Sequence, residues 1–143
     1  MSITDTERIR ALIDEWVEGA MHADVPRVTA LYTEDVVSFD AIGPLRISGI
    51  DAWREHWKRC MEQCPGEMKF QVADVHIEVG GDVAFARFLM RCGATMPDGT
   101  EQTGWLRGTA CYRCEAGEWK IAHDHCSVPF DPVSGAALIE LEP

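Results

Sequence analysis

Apolar residues recur at helical spacing through Ile9, Leu12, Ile13, Trp16 and Ala20, the one-sided stripe of an amphipathic helix. Thr4-Asp5-Thr6-Glu7 stands before it and has the form of a capping box, in which the Thr4 hydroxyl and the Glu7 carboxylate take up amides left free at a helix start. Asp24-Val25-Pro26 restarts the chain, with Asp24 as cap and Pro26 in the first turn. The short helix that follows carries Val28 and Leu31 and is expected to run to about Tyr32. Asp35 to Asp40 reads as a strand, broken by Gly43-Pro44. A third helix is expected from Ser48-Gly49 to just before Pro65-Gly66, with Trp53, Trp57, Cys60, Met61 and Cys64 as its stripe.

Beyond Pro65 the period changes to two. Met68 to Val79 and Val83 to Thr95 flank Gly80-Gly81, a two-residue hairpin signal. Pairing Val79 with Asp82 sets Ala73, Val75 and Ile77 beside Phe88, Ala86 and Ala84, and Asp74 opposite Arg87. Pro97-Asp98-Gly99 marks the next turn. Thr103 to Cys114 and Trp119 to Val128 form a last hairpin around Glu115-Ala116-Gly117, and the tail after Pro129 reads as extended. Three helices followed by a mostly antiparallel sheet, with one strand between the second and third helices, make an α+β fold. Helices on one face of a curved sheet can enclose a conical pocket.

Composition narrows the function classes. The chain has 143 residues, enough for one domain with one core. Its net charge of −11 argues against nucleic acid and against anionic membranes, since both need clustered Lys and Arg. The N-terminus lacks a basic start followed by an apolar run, so no secretory signal is expected, and the expected location is cytoplasmic. The cysteines at 60, 64, 92, 111, 114 and 126 read as reduced thiols. Cys111-x-x-Cys114 has no second pair to complete a zinc module.

The last hairpin is richest in chemistry. With Glu115-Ala116-Gly117 as a three-residue loop, Arg107 lies opposite His125 and Thr109 opposite His123. Trp105, Arg107, Thr109, His123, His125 and Ser127 then share one face, while Leu106, Gly108, Ala110, Ala122, Asp124 and Cys126 share the other, suited to close packing. Three readings of the polar face stand open: a pocket floor, a metal site in which His123-x-His125 recruits Asp40, and a solvated strand face without chemistry. Asp40, preceded by Phe39 at a strand end, is either a desolvated carboxylate tuned for proton transfer or a turn residue. His22 and His56 are expected at the surface; His76 stays ambiguous.

The run Ala23-Asp24-Val25-Pro26, then Ala30 through Asp40, Gly49 and the third helix, resembles the nuclear transport factor 2-like superfamily. The closing strands, Trp105 to Thr109 and Trp119 to Asp131, are similar to its SnoaL-like branch of polyketide cyclases and ketosteroid isomerase-like proteins. The resemblance implies a cone of curved sheet on helices, and places Asp40 where ketosteroid isomerases carry their general base. It sets Trp16 at their oxyanion tyrosine and Thr109 near their protonated oxyanion aspartate. Arg107-x-Thr109 falls where limonene epoxide hydrolase-like proteins carry Arg-x-Asp.

The expected function is proton transfer on a small, largely apolar carbonyl compound, of isomerase, cyclase or dehydratase type, with no cofactor and no metal. Asp40 would be the base, His125 or His123 the acid or orienting group, and Arg107 and Trp16 would stabilise developing charge. Trp16, Thr109, Trp57, Trp105, Ser127 and Phe39 would contact the substrate. The alternatives are a non-catalytic small-molecule binding protein and an association module on the same fold. A homodimer across the outer sheet face is implied by the resemblance.

Overall fold

A computed structural model describes residues 2–143. Helix α1 (Asp5–Met21) starts at the expected capping box: the Glu7 amide donates to Thr4 Oγ1 at 3.2 Å, and the Thr4 amide donates to Glu7 Oε2 at 2.7 Å. Helix α2 (Val25–Thr29) is capped by Asp24, which accepts from the Arg27 amide at 3.1 Å. It ends earlier than expected. Leu31 already belongs to the sheet margin, where its carbonyl accepts from the Ile121 amide, and Tyr32 opens strand β1 (Tyr32–Phe39). After a two-residue strand β2 (Ile47–Ser48) comes helix α3 (Ile50–Glu62). Four long strands follow: β3 (Glu67–Gly80), β4 (Val83–Thr95), β5 (Glu101–Glu115) and β6 (Glu118–Ser127).

The six strands form one sheet in the order β2-β1-β6-β5-β4-β3. All neighbours run antiparallel except β1 and β6, which are parallel. The sheet is curved and unclosed, and the fold is α+β with the helices ahead of most of the sheet. Ile9, Leu12, Ile13 and Ala20 of α1 join Val28, Val36, Trp53, Trp57, Tyr112 and Ile121 in one buried cluster. Among the described residues, no helix is long and apolar enough to cross a membrane.

Two β-bulges decide which side chains face inward. The β3–β4 turn is Gly81-Asp82 rather than Gly80-Gly81, so Gly80 pairs with Val83 and Val79 with Ala84. The register then slips between Ala73 and His76, where Asp74 adopts φ 53°. The extra residue reverses the parity of the strand, so that Phe70 and Val72 on one side of the bulge and Val75, Ile77 and Val79 on the other all reach the core. Arg87 consequently lies opposite His76, yet its guanidinium still stands 3.8 Å from Asp74.

The β5–β6 hairpin holds the second bulge. Its turn is the two-residue Ala116-Gly117, both at positive φ, with Glu115 paired to Glu118. Tyr112 pairs with Ile121, but Cys111 pairs with His123, leaving Ala122 unpaired. Past this bulge the pairs are Thr109 with His125 and Arg107 with Ser127, which corrects the expected register. Inward-facing Leu106 and Gly108 carry Phe88 against them: a Cβ added at Gly108 would lie 2.4 Å from the Phe88 ring.

Candidate functional site

A cavity of about 350 Å³ lies between α3, the end of β1 and the inner face of β3–β6. Trp53, Trp57 and Cys60 line it from α3, Cys64 from just past the end of that helix, and Trp16 from α1; Phe70, Met90, Leu106 and Cys126 line it from the sheet. A smaller void of about 40 Å³ adjoins it behind Trp16, Met90, Asp124 and Cys126. Aromatic edges close the helix side: Trp16 meets Trp57 at 5.5 Å and Phe70 at 5.4 Å between ring centroids.

Two carboxylates interrupt this apolar lining. Asp40 follows β1 directly, so it continues the inward parity of Val36 and Ser38. Its Oδ1 accepts from the Ala41 amide at 2.9 Å, and its Oδ2 lies 2.5 Å from His56 Nε2. His56 is buried on α3, with only 7% of its side chain exposed, and Asp40 is 21% exposed. The expectation of a surface His56 is therefore corrected. Position 56 is one turn from Trp53 and one turn from Cys60, on the same stripe, and that spacing was the available signal. The imidazole stacks on the Trp53 indole and is backed by Gly43, where an added Cβ would lie 2.9 Å from His56 Cε1. Gly43 sits at φ +90°, a conformation that also favours glycine.

Asp124 is the second carboxylate, open to the cavity on one side and otherwise enclosed. Its Oδ2 accepts from the Tyr32 hydroxyl at 2.8 Å, its Oδ1 accepts from the Ser38 hydroxyl, and Tyr32 accepts from the Trp16 indole N–H at 2.9 Å. Burial pushes the Asp124 carboxyl above its ordinary range. The hydroxyls of Ser38 and Tyr32 pull it the other way, and the charge of Asp40 adds to the rise. Burial and the Asp124 charge likewise raise the Tyr32 phenol well above its usual value, so it stays protonated. Sequence reasoning placed Asp124 on the small apolar face without a role. An acid among Leu106, Gly108 and Ala110 was the signal that could have singled it out.

Three of the thiols are held protonated. Burial raises Cys60, with Asp40 adding to the effect, raises Cys92 to about 11, and raises Cys126 further. All six cysteines are free, and these three are poor nucleophiles in this state.

The structure brings Asp40, Trp16 and Trp57 together at the cavity. It puts the other expected site residues elsewhere. Trp105, Arg107, Thr109, His123, His125 and Ser127 share one face, as expected, but it is the outer face of the sheet, and Phe39 lies there with them. Phe39 meets His123 at 4.8 Å and His125 at 5.6 Å between ring centroids. His123 Nδ1 hydrogen-bonds the Val37 carbonyl at 2.5 Å, and Arg107 Nε donates to Ser127 Oγ at 3.2 Å. The expected convergence of His123 and His125 on Asp40, for proton transfer or for a metal, is corrected: with the bulge at Ala122, both imidazoles stand on the outer face, separated from Asp40 by the thickness of the sheet.

Comparison with known proteins agrees with this architecture. The SnoaL-like domain family model matches residues 9–131. An NTF2-like protein of unknown function from Pseudomonas putida is 38% identical, with a TM-score of 0.90 over 99% of this chain and 100% of its own. A ketosteroid isomerase-like protein from Erwinia carotovora atroseptica shares the fold at 24% identity and TM-score 0.69, over 84% of this chain and 92% of its own. A nuclear transport factor 2 (NTF2-like) superfamily protein from Salmonella enterica does so at 20% identity and TM-score 0.75, over 94% of each chain. No curated protein matches the sequence.

Proposed function

Taking as premise that the chain belongs to the SnoaL-like domain family, we propose that it catalyses proton transfer on a small, largely apolar carbonyl compound, as an isomerase, cyclase or dehydratase-type enzyme. The observation that carries this reading is the Asp40–His56 pair, a carboxylate and an imidazole 2.5 Å apart at the edge of an otherwise apolar cavity.

The pair has the parts of a general acid–base catalyst. One Asp40 oxygen is fixed by the Ala41 amide, so the other is aimed at His56 and at whatever fills the cavity. An imidazole hydrogen-bonded to that oxygen can receive the proton Asp40 removes, or return it at a second atom of the substrate. The apolar walls exclude water, which strengthens such exchanges. Asp124, Tyr32 and Trp16 form a locked polar wall whose members are paired among themselves. Their part is to keep the Trp16 ring in place against the ligand. The ligand itself is bound by Trp16, Trp57, Phe70 and Met90, surfaces suited to a flat, weakly polar molecule.

The predominance of apolar lining favours a second reading, a binding protein without turnover. The homodimer is proposed through the outer sheet face, where Phe39, Val83 and Phe85 remain exposed on the monomer. The free thiols fit a reducing, cytoplasmic setting.

Deuterium exchange separates the two readings and does not require the natural substrate. A panel of small cyclic and aromatic ketones is incubated with the protein in heavy water and followed by NMR. Exchange at carbons next to the carbonyl, lost by about 10²–10⁴-fold in Asp40→Asn, supports catalysis. Ligands that bind but exchange at the same rate with wild type and variant overturn it in favour of the binding protein.

A further inference from the structure

We propose that Asp40, His56 and Cys60 form a binding site for one thiophilic divalent cation of the zinc class, with its fourth coordination position open to the cavity. The site uses atoms of the proton-transfer pair, but it stands whether or not the protein turns over a substrate.

The three donor atoms lie within 4.8 Å of one another. His56 and Cys60 are one helical turn apart on α3, which brings both onto one face as in other helix-borne ligand pairs. Their Nε2 and Sγ atoms are 3.6 Å apart. With metal bonds of about 2.05 Å to nitrogen and about 2.3 Å to sulfur, a tetrahedral ion holds these two atoms about 3.6 Å apart. The helix thus presents two ligands already at coordination distance.

Asp40 supplies the third from the strand side. Its Oδ2 is 2.5 Å from Nε2, whereas two such donors on one tetrahedral ion stand about 3.3 Å apart, so Asp40 must withdraw by about 0.8 Å. It can do so because it is the first residue beyond β1, followed by a bend in which Ile42 and Leu45 are exposed. His56 stays fixed between Trp53 and Gly43, which gives the site one rigid anchor.

One nitrogen, one sulfur and one oxygen make a mixed set that suits zinc or cobalt and excludes magnesium and calcium, which take oxygen ligands. Three protein ligands leave one position for water or a ligand donor. On binding, the Cys60 thiol releases its proton to solvent and the thiolate forms the metal–sulfur bond. The ion then occupies the Asp40 oxygen and His56 nitrogen that face each other in its absence. Metal and transferable proton therefore compete for one site, and a loaded protein has no free dyad.

The test is titration of the reduced full-length protein with cobalt(II). One saturable equivalent with a near-ultraviolet thiolate-to-cobalt band is expected, displaced by zinc. Cys60→Ser should remove that band and weaken binding at least about tenfold, and His56→Gln should weaken it similarly. Cys64→Ser and His123→Ala should change neither. In wild type alone, zinc, which is diamagnetic, should displace the His56 ring proton resonances and leave those of His123 and His125 in place, a readout that needs no variant to fold. No saturable binding, a band that survives Cys60→Ser, or displaced His123 and His125 resonances instead of His56 would overturn the proposal.

Discussion

The His56 imidazole lies parallel to the Trp53 indole, with 11° between their planes and 5.4 Å between centroids, one turn along the same helix. The stack, with Gly43 close behind the ring, holds it toward Asp40 and places a titratable group among buried aromatic side chains. His56→Ala should therefore act twice. It removes stacked area and leaves a partly buried carboxylate without its partner. We expect a loss of about 3 kcal/mol, the lower end for breaking a buried pair because Asp40 keeps some exposure. Urea unfolding at neutral pH measures this.

Asp124 makes stability depend on pH. Its carboxyl titrates higher in the folded chain than the ordinary value of 3.8. Between those two values the folded state holds more protons than the unfolded one, so stability falls as pH rises through that window, then levels off. Asp124→Asn keeps the shape and a hydrogen-bonding capacity but cannot ionise. Its stability relative to wild type should improve from about pH 4 upward and reach a plateau. Denaturant midpoints across about pH 4–8 test the sign, and a difference that is flat with pH counts against a raised carboxyl.

Gly108→Ala should be costly although it adds one methyl group. The new Cβ would stand 2.4 Å from the Phe88 ring, on strands that pair these two residues directly. Overpacking of this kind costs about 1–3 kcal/mol. A lowered thermal midpoint is expected, restored in part by Phe88→Leu in the same chain.

His125→Ala should leave both deuterium exchange and fold stability close to wild type, within about 0.5 kcal/mol for the latter, as for other exposed positions. Its ring is on the outer face, touching Phe39 rather than the cavity. If the proposed dimer uses that face, the same variant should shift the monomer–dimer balance in sedimentation experiments, which separates an interface role from a catalytic one.

The helices were legible because their signals are local. Thr4 with Glu7, Asp24 with Pro26, and the Trp53–Trp57–Cys60 stripe each declare an end or a face within a few residues. The fold class followed from their order. Inward and outward faces were not legible in β3 and β6, because alternation is unambiguous only until a residue is added. Nothing local marks Asp74 or Ala122 as the extra residue: each bulge is settled by partners on the neighbouring strand. For the site, Asp40 was visible as an acid at a strand end. His56 and Asp124 were readable as positions but not as partners, since Asp40 meets one across a loop and a helix, and Tyr32 meets the other across 92 residues.

The unpaired Ala122 has a consequence for any relative compared with this chain. A strand of the same length without the extra residue alternates regularly, and an ungapped alignment would set its inward side chains against His123 and His125 here. Roles copied across such an alignment would land on the wrong side of the sheet from that point to the end of β6. A gap at position 122 restores the correspondence, and with it Asp124 becomes the residue to compare.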